Sequence, residues 1–395
     1  MKTTDTKKNA DAGTYPYKAL QRHLNAMPVG FPATRSGVEI RILKHLFDPD
    51  EAMLGMALTH RLETVQIIAE RVTDKNFSGE RLHAMLNHMA SKGSILRKTV
   101  DGNDQYALTP FVVGMFEFQL AKMTPELYAD AARYFREAFG LAYLSTAVPQ
   151  MRVIPIEKSL SPEKNTIATY DRIRSIIENT NGKMGVADCI CRKGKDLIGE
   201  PCKKTDRRNL CFGFRDYFET YQREGWFREV GKDEALEILR QSEAEGLVLQ
   251  TTNEQEPQAV CACCGCCCGV LGTLKNIPNP ADFAATNFYA AVDDEKCVGC
   301  GLCEKRCHME AIRIIDKQAE INLKRCIGCG VCVPVCKPGA ISLIRKKQEC
   351  IPPKTTEDLY ETIRAGKNRW TKLTTVLKIL RHMNWREIKT VMGKK

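Results

Sequence analysis

Nineteen cysteines carry the chemistry legible in this 395-residue chain, and eight of them fall in two copies of one run. CVGCGLCEKRCHMEAIRI occupies 297–314, and CIGCGVCVPVCKPGAISL begins at Cys326. Each copy has the spacing C-x2-C-x2-C-x3-C. Three closely spaced thiolates on a tight loop suit three corners of a cubane iron–sulfur cluster, whose small cage needs four soft ligands. Gly299, Gly301, Gly328 and Gly330 let such a loop coil and turn backbone N–H groups toward cluster sulfurs. Two zinc ribbons would use paired C-x2-C motifs, not triplets.

The segment from Cys297 to Leu343 resembles a bacterial two-cluster ferredoxin domain. In such a domain the fourth Cys of each run reaches across to the other cluster. Cys297, Cys300, Cys303 and Cys336 are therefore expected to hold one [4Fe–4S] cluster, and Cys326, Cys329, Cys332 and Cys307 the other. The family usually has Pro directly after the fourth Cys. His308 and Lys337 stand there in this chain, with Pro338 one place late.

Ten more cysteines lie between 189 and 268. Cys189, Cys191, Cys202 and Cys211 follow C-x-C-x10-C-x8-C, among Arg192, Lys193, Lys195, Lys203, Lys204, Arg207 and Arg208. Nearby cations lower thiolate pKa values and offset the charge of a bound cluster. Cys261, Cys263, Cys264, Cys266, Cys267 and Cys268 are six cysteines in eight residues, more than one cubane takes. Adjacent side chains diverge, so neighbouring Cys should face different partners. Some should complete the site begun at Cys189–Cys211, and others a separate centre. The expected cofactors are two [4Fe–4S] clusters and one or more further iron–sulfur clusters, with zinc the rival metal. Cys350 stands alone and reads as a buried free thiol.

The whole arrangement resembles a group of anaerobe proteins described as 4Fe–4S-binding proteins. They share an N-terminal helical domain, a CxCR segment, a CxCCxCC-like run and a C-terminal two-cluster ferredoxin domain. The matching residues are Cys189-Ile-Cys191-Arg192, Pro201-Cys202, Cys261–Cys268 and the 297–336 array. The resemblance, from about residue 38 to 345, implies electron transfer.

The elements that must position these thiols suggest an α+β chain. Residues 1–37, interrupted by Pro16, Pro28 and Pro32, read as a flexible lead. In 38–120, helical periodicity in VEIRILKHLF, EAMLGMAL, ETVQIIAERV and GERLHAMLNHMASKG precedes a hairpin about Asp101–Asp104, a winged-helix-like pattern. Ser78 and Gly93 read as caps of the last of these helices. Its Arg81, His83, His88 and Lys92 make a thin basic stripe, so a packing role is preferred to DNA binding. A helical connector (121–165), a Cys-rich metal-binding domain (166–290), the dicluster domain (291–346) and a tail (347–395) complete the division.

Residues 354–395 hold eleven Lys or Arg against four acids, with Trp370, Leu373, Val376, Leu377 and Leu380 at helical spacing. Such a helix could rest on an anionic membrane surface, dock on an acidic partner or pack on its own protein. The start of the chain has no apolar signal segment, and the cysteine count then points to metal in a reducing cytoplasm, not to disulfides. The formal charge of +11 overstates the basicity of a loaded chain, because each [4Fe–4S](Cys)4 unit is anionic. No nucleotide or flavin fingerprint is present. The expected partner is a redox protein or oxidoreductase complex. Two further readings are a reductase binding substrate at a central cluster and a redox-sensing DNA-binding regulator.

Overall fold

The computed structural model describes residues 13–74, 77–160 and 167–382. The start of the expected lead, the far end of the basic tail and part of the connector lie outside the described residues. The chain mixes helix and sheet in two compact units. One comprises 1–143, 193–199 and 220–226; the other comprises 144–192, 200–219 and 227–395. The Cys-rich segments and the dicluster segment thus share the second unit.

In the first unit, α1 (Tyr15–Ala26) lies where an irregular lead was expected. Pro16 stands in its first turn, where a missing N–H costs nothing, and Tyr17, Leu20 and Leu24 give it a buried face. Helices α2 (Val38–Leu46), α3 (Pro49–Gly55), α4 (Val65–Ala69) and α5 (Gly79–Lys92) follow. Asp48 and Glu51 form a capping box at α3. Ser78 sits at the N-cap of α5 without a side-chain capping bond, while Gly93 ends that helix at φ 78°. Strands β1 (Glu63–Thr64), β2 (Leu96–Val100) and β3 (Asn103–Ala107) form an antiparallel sheet in the order β1-β3-β2. The hairpin turn is tighter than expected: only Asp101 and Gly102 lie outside the strands, both at positive φ.

The apolar run after Pro110 is not one helix. Val112–Gly114 leave helical geometry, and Glu117–Gln119 form a 3-10 turn. An aromatic core explains the break: Phe111 packs against Phe31, Tyr134 and Phe139 at centroid distances of 5.8, 5.4 and 5.3 Å. Helix α6 (Pro125–Tyr134) runs through a wide turn at Phe135–Phe139 into α7 (Gly140–Leu144).

The second unit is built on a six-stranded antiparallel sheet, in the order β4-β8-β9-β6-β5-β7. Its strands are β4 (Met151–Ile154), β5 (Met184–Asp188), β6 (Asn209–Phe214), β7 (Arg228–Glu229), β8 (Val248–Thr252) and β9 (Ala259–Cys263). Every residue of β8 is buried, as an inner strand with both faces covered requires. Between these strands lie α8 (Ile173–Glu178), α9 (Ile190–Leu197), α10 (Arg215–Gln222) and α11 (Lys232–Glu245). A 3-10 turn at Thr169–Asp171 precedes helix α8.

After α12 (Gly269–Lys275), the dicluster segment pairs β10 (Phe288–Val292) with β13 (Ile341–Arg345). It also holds α13 (Leu302–Arg306) and the hairpin β11 (Ile312–Ile315) and β12 (Gln318–Ile321). Helices α14 (Thr356–Ala365) and α15 (Arg369–Leu380) close the described chain. No described helix is long and apolar enough to cross a membrane.

Candidate metal centres

In the dicluster segment, the core consists of Ala290, Cys303, Ile312, Ala319, Cys332 and Ile341, with other cysteines packed around it. The two runs interleave. Cys307 has Cys326 as a charged neighbour, and Cys329 and Cys332 both have Cys307 and Cys326. Cys303 has Cys300 and Cys336 as its charged neighbours. Burial pushes the thiols of Cys303, Cys307 and Cys332 up, and that of Cys329 to about 12. A bound cation would make thiolates favourable there. Backbone N–H groups of Ala290, Ala311 and Ala319 each donate to a sulfur, of Cys326, Cys307 and Cys297 respectively, at 3.3 Å. Gly299 and Gly328 need positive φ, and a Cβ there would collide with the backbone carbonyls of Lys317 and Phe288.

The ten central cysteines divide four and six. Cys202, Cys264, Cys266 and Cys267 converge with all four sulfurs within 4.8 Å of one another. Cys264 and Cys266 stand 3.4 Å apart, Cys202 and Cys264 as well as Cys266 and Cys267 3.6 Å, and Cys202 and Cys266 3.9 Å. The turn after β9 makes this possible, since the N–H groups of Cys267 and Cys268 both return to the carbonyl of Cys264.

The other six form a closed ring of thiol neighbours. Cys189 neighbours Cys191 and Cys211, Cys191 neighbours Cys268, Cys268 neighbours Cys263, Cys263 neighbours Cys261, and Cys261 neighbours Cys211. Strand geometry builds the ring. Cys261 and Cys263 share a face of β9 at i, i+2, and Cys211 on β6 pairs directly with Cys261. A register shift after Ala187 swings Cys189 off the end of β5, where its N–H donates to the Arg208 carbonyl at 2.7 Å. Gln250 on β8 donates to the Cys268 sulfur at 3.6 Å. The neighbouring thiols of Cys191 and Cys211 hold the Cys189 thiol well below its ordinary pKa, and those of Cys191 and Cys263 do the same for Cys268. Cys191 and Cys211 sit well above.

The sequence set Cys189, Cys191, Cys202 and Cys211 is thereby split: Cys202 joins one group and the other three join the ring. Adjacent residues part as expected at Cys263/Cys264 and at Cys267/Cys268, whereas Cys266 and Cys267 stay together. Cys350 is a correction. It is exposed, in the loop after β13 whose backbone is tied down by the Cys350 N–H donating to Asn287 Oδ1 at 2.7 Å.

Arg192 and His308 belong to these centres, and periodicity pointed to neither role. Arg192 is fully buried; its Nε donates to the Cys202 sulfur at 3.4 Å and its Nη1 to the Ala262 carbonyl at 3.0 Å. Burial opposes its charge, but the thiols of Cys189, Cys264 and Cys263 outweigh that and raise its pKa. One cation thus serves both groups.

His308 follows Cys307 directly. Its Nδ1 accepts from the N–H of Gly265 at 3.2 Å, and its Nε2 donates to the Gly246 carbonyl at 2.7 Å. Those two bonds fix the neutral tautomer with the proton on Nε2. Burial lowers its pKa, in agreement. The ring therefore spans from the dicluster segment to the loop between Cys264 and Cys266.

No curated protein sequence and no solved structure matches the chain significantly. Residues 296–341 match the family of the 4Fe-4S dicluster domain, which makes this end of the chain an iron–sulfur segment.

Proposed function

We propose that this chain is an iron–sulfur electron-transfer protein, a component of an oxidoreductase. It passes electrons between an external redox protein and the central thiol ring through two [4Fe–4S] clusters. One cluster is held by Cys297, Cys300, Cys303 and Cys336, the other by Cys326, Cys329, Cys332 and Cys307. The ring of Cys189, Cys191, Cys211, Cys261, Cys263 and Cys268 holds a further iron–sulfur centre. The observation that carries this reading is His308. It sits next to one cluster ligand and bonds the backbone of the central Cys loop within the same unit. A rigid buried side chain between a cluster ligand and the turn that also supplies Cys263 and Cys268 to the ring suits electron passage. The surplus of two thiols over a cubane's four favours a second reading, in which the ring also binds substrate.

The first unit is read as a winged-helix-like packing module. Lys92 of α5 is engaged by Glu51 at 2.6 Å and Asp48 at 3.4 Å, which supports this over DNA binding. Trp370, Leu373 and Leu377 of α15 are exposed, which supports contact of the basic tail with a membrane surface or partner in the cytoplasm.

Stepwise reduction of the full-length protein under anaerobic conditions, followed by electron paramagnetic resonance, tests the proposal. A third paramagnet coupled to the ferredoxin pair is expected. Full reduction that yields only the two ferredoxin signals would contradict it, and a ring signal altered by an added substrate would favour the second reading.

A further inference from the structure

We infer that Cys202, Cys264, Cys266 and Cys267 hold a single tetrahedral metal ion, not a cluster. The size of the site carries the inference. A lone thiophilic ion with metal–sulfur bonds of about 2.3 Å sets its four sulfurs at the corners of a tetrahedron whose edge is about 3.8 Å. Four of the six sulfur pairs here run from 3.4 to 3.9 Å, and all four sulfurs fall within 4.8 Å of one another. A cubane places each thiolate on a different iron, so its thiolates stand apart by an iron–iron edge plus the outward reach of two iron–sulfur bonds. No three of the dicluster cysteines gather within 4.8 Å of one another. Among the described residues, the Cys202 group is the one all-thiol set gathered within 4.8 Å.

The local chain is arranged for such an ion. Three ligands come from one tight turn, Cys264-Gly265-Cys266-Cys267, and the fourth from a loop 62 residues earlier. Two backbone hydrogen bonds to the Cys264 carbonyl hold the turn. A divalent ion with four thiolates leaves a dianion, and Arg192 stands against it with Nε on the Cys202 sulfur. His308 grips Gly265 in the middle of the turn. The ion therefore pins the 200–206 loop to the turn that also supplies Cys263 and Cys268 to the ring. Zinc and a lone iron share this chemistry.

This inference does not depend on the ring holding a cluster, and its test reads a different quantity. Full-length protein, purified anaerobically after growth with both zinc and iron, would be examined by X-ray absorption at each metal's edge, with iron and sulfide counted. The expected result is one zinc per chain bound by four sulfurs at about 2.3 Å without metal–metal scattering, or one iron in excess of sulfide with the same shell. Cys202→Ser, and independently Cys266→Ser at the exposed position, should each lose that one ion and keep the sulfide count. Retention of the ferredoxin resonance would report that each variant is folded. Wild-type protein with no zinc and with iron equal to sulfide would overturn the inference. So would loss of four iron and four sulfide together in either variant.

Discussion

His308 shows what a single residue can settle. The resemblance to two-cluster ferredoxins places Pro after the fourth Cys, and the sequence offers no reason for His there. Its partners, Gly246 and Gly265, lie 62 and 43 residues away, so no local pattern could reveal them. His308→Ala should leave both cubanes in place, since His308 is not a ligand. It should cost about 1–3 kcal/mol by stranding a buried carbonyl and a buried N–H, seen as a lower apparent urea midpoint of the anaerobic holoprotein. An unchanged midpoint would deny His308 its bridging role. Spacing alone identifies the cubane runs, and the crossed ligation is what their resemblance to two-cluster ferredoxins implies. Cys307→Ala should therefore expose Cys326, Cys329 and Cys332 to alkylation by iodoacetamide, read by mass spectrometry. Cys297, Cys300 and Cys303 should stay protected. The reverse pattern would refute the crossed assignment.

Among elements, strands and long helices were legible, and short irregular pieces were not. α11, β8 and β10 follow the sequence patterns GKDEALEILRQSEAEG, LVLQTT and NFYAAV, because burial on one face or both sets those patterns. α1 was missed because its Pro residues read as breaks, although a first-turn Pro is none. The 4:6 division of the central thiols was also hidden, since it depends on strand register between Cys211 and Cys261. β4 joins the central sheet to the dicluster segment: Val153 N–H donates to the Ala285 carbonyl at 2.9 Å, and Ile156 N–H to the Cys329 carbonyl at 3.1 Å. Buried Arg152 anchors this junction, donating from Nη2 to Asp171 at 2.5 Å, and Asn287 Nδ2 donates to the other carboxylate oxygen at 2.6 Å. Asp171→Asn leaves a buried guanidinium without its counter-charge, at a cost of about 3–5 kcal/mol. Thermal scans should show a clear fall in the temperature at which the cluster absorbance bleaches. A variant that bleaches with wild-type behaviour would mean that the pair does not hold the junction.

At the scale of the whole molecule, one chain carries a helix-and-sheet unit and a thiol-rich unit, and only the second offers obvious chemistry. With Lys92 already paired, the first unit should bind duplex DNA weakly and without sequence preference. Fluorescence anisotropy in physiological salt would show this, and a specific site bound at nanomolar affinity would promote the regulator reading. The central claim is that the protein carries an iron–sulfur centre beyond its dicluster segment. Iron and acid-labile sulfide analysis of full-length protein, purified without exposure to oxygen, tests this most directly. At least twelve iron and twelve sulfide per chain are expected, since two cubanes account for only eight of each. Eight sulfide per chain in fully loaded protein would contradict the account.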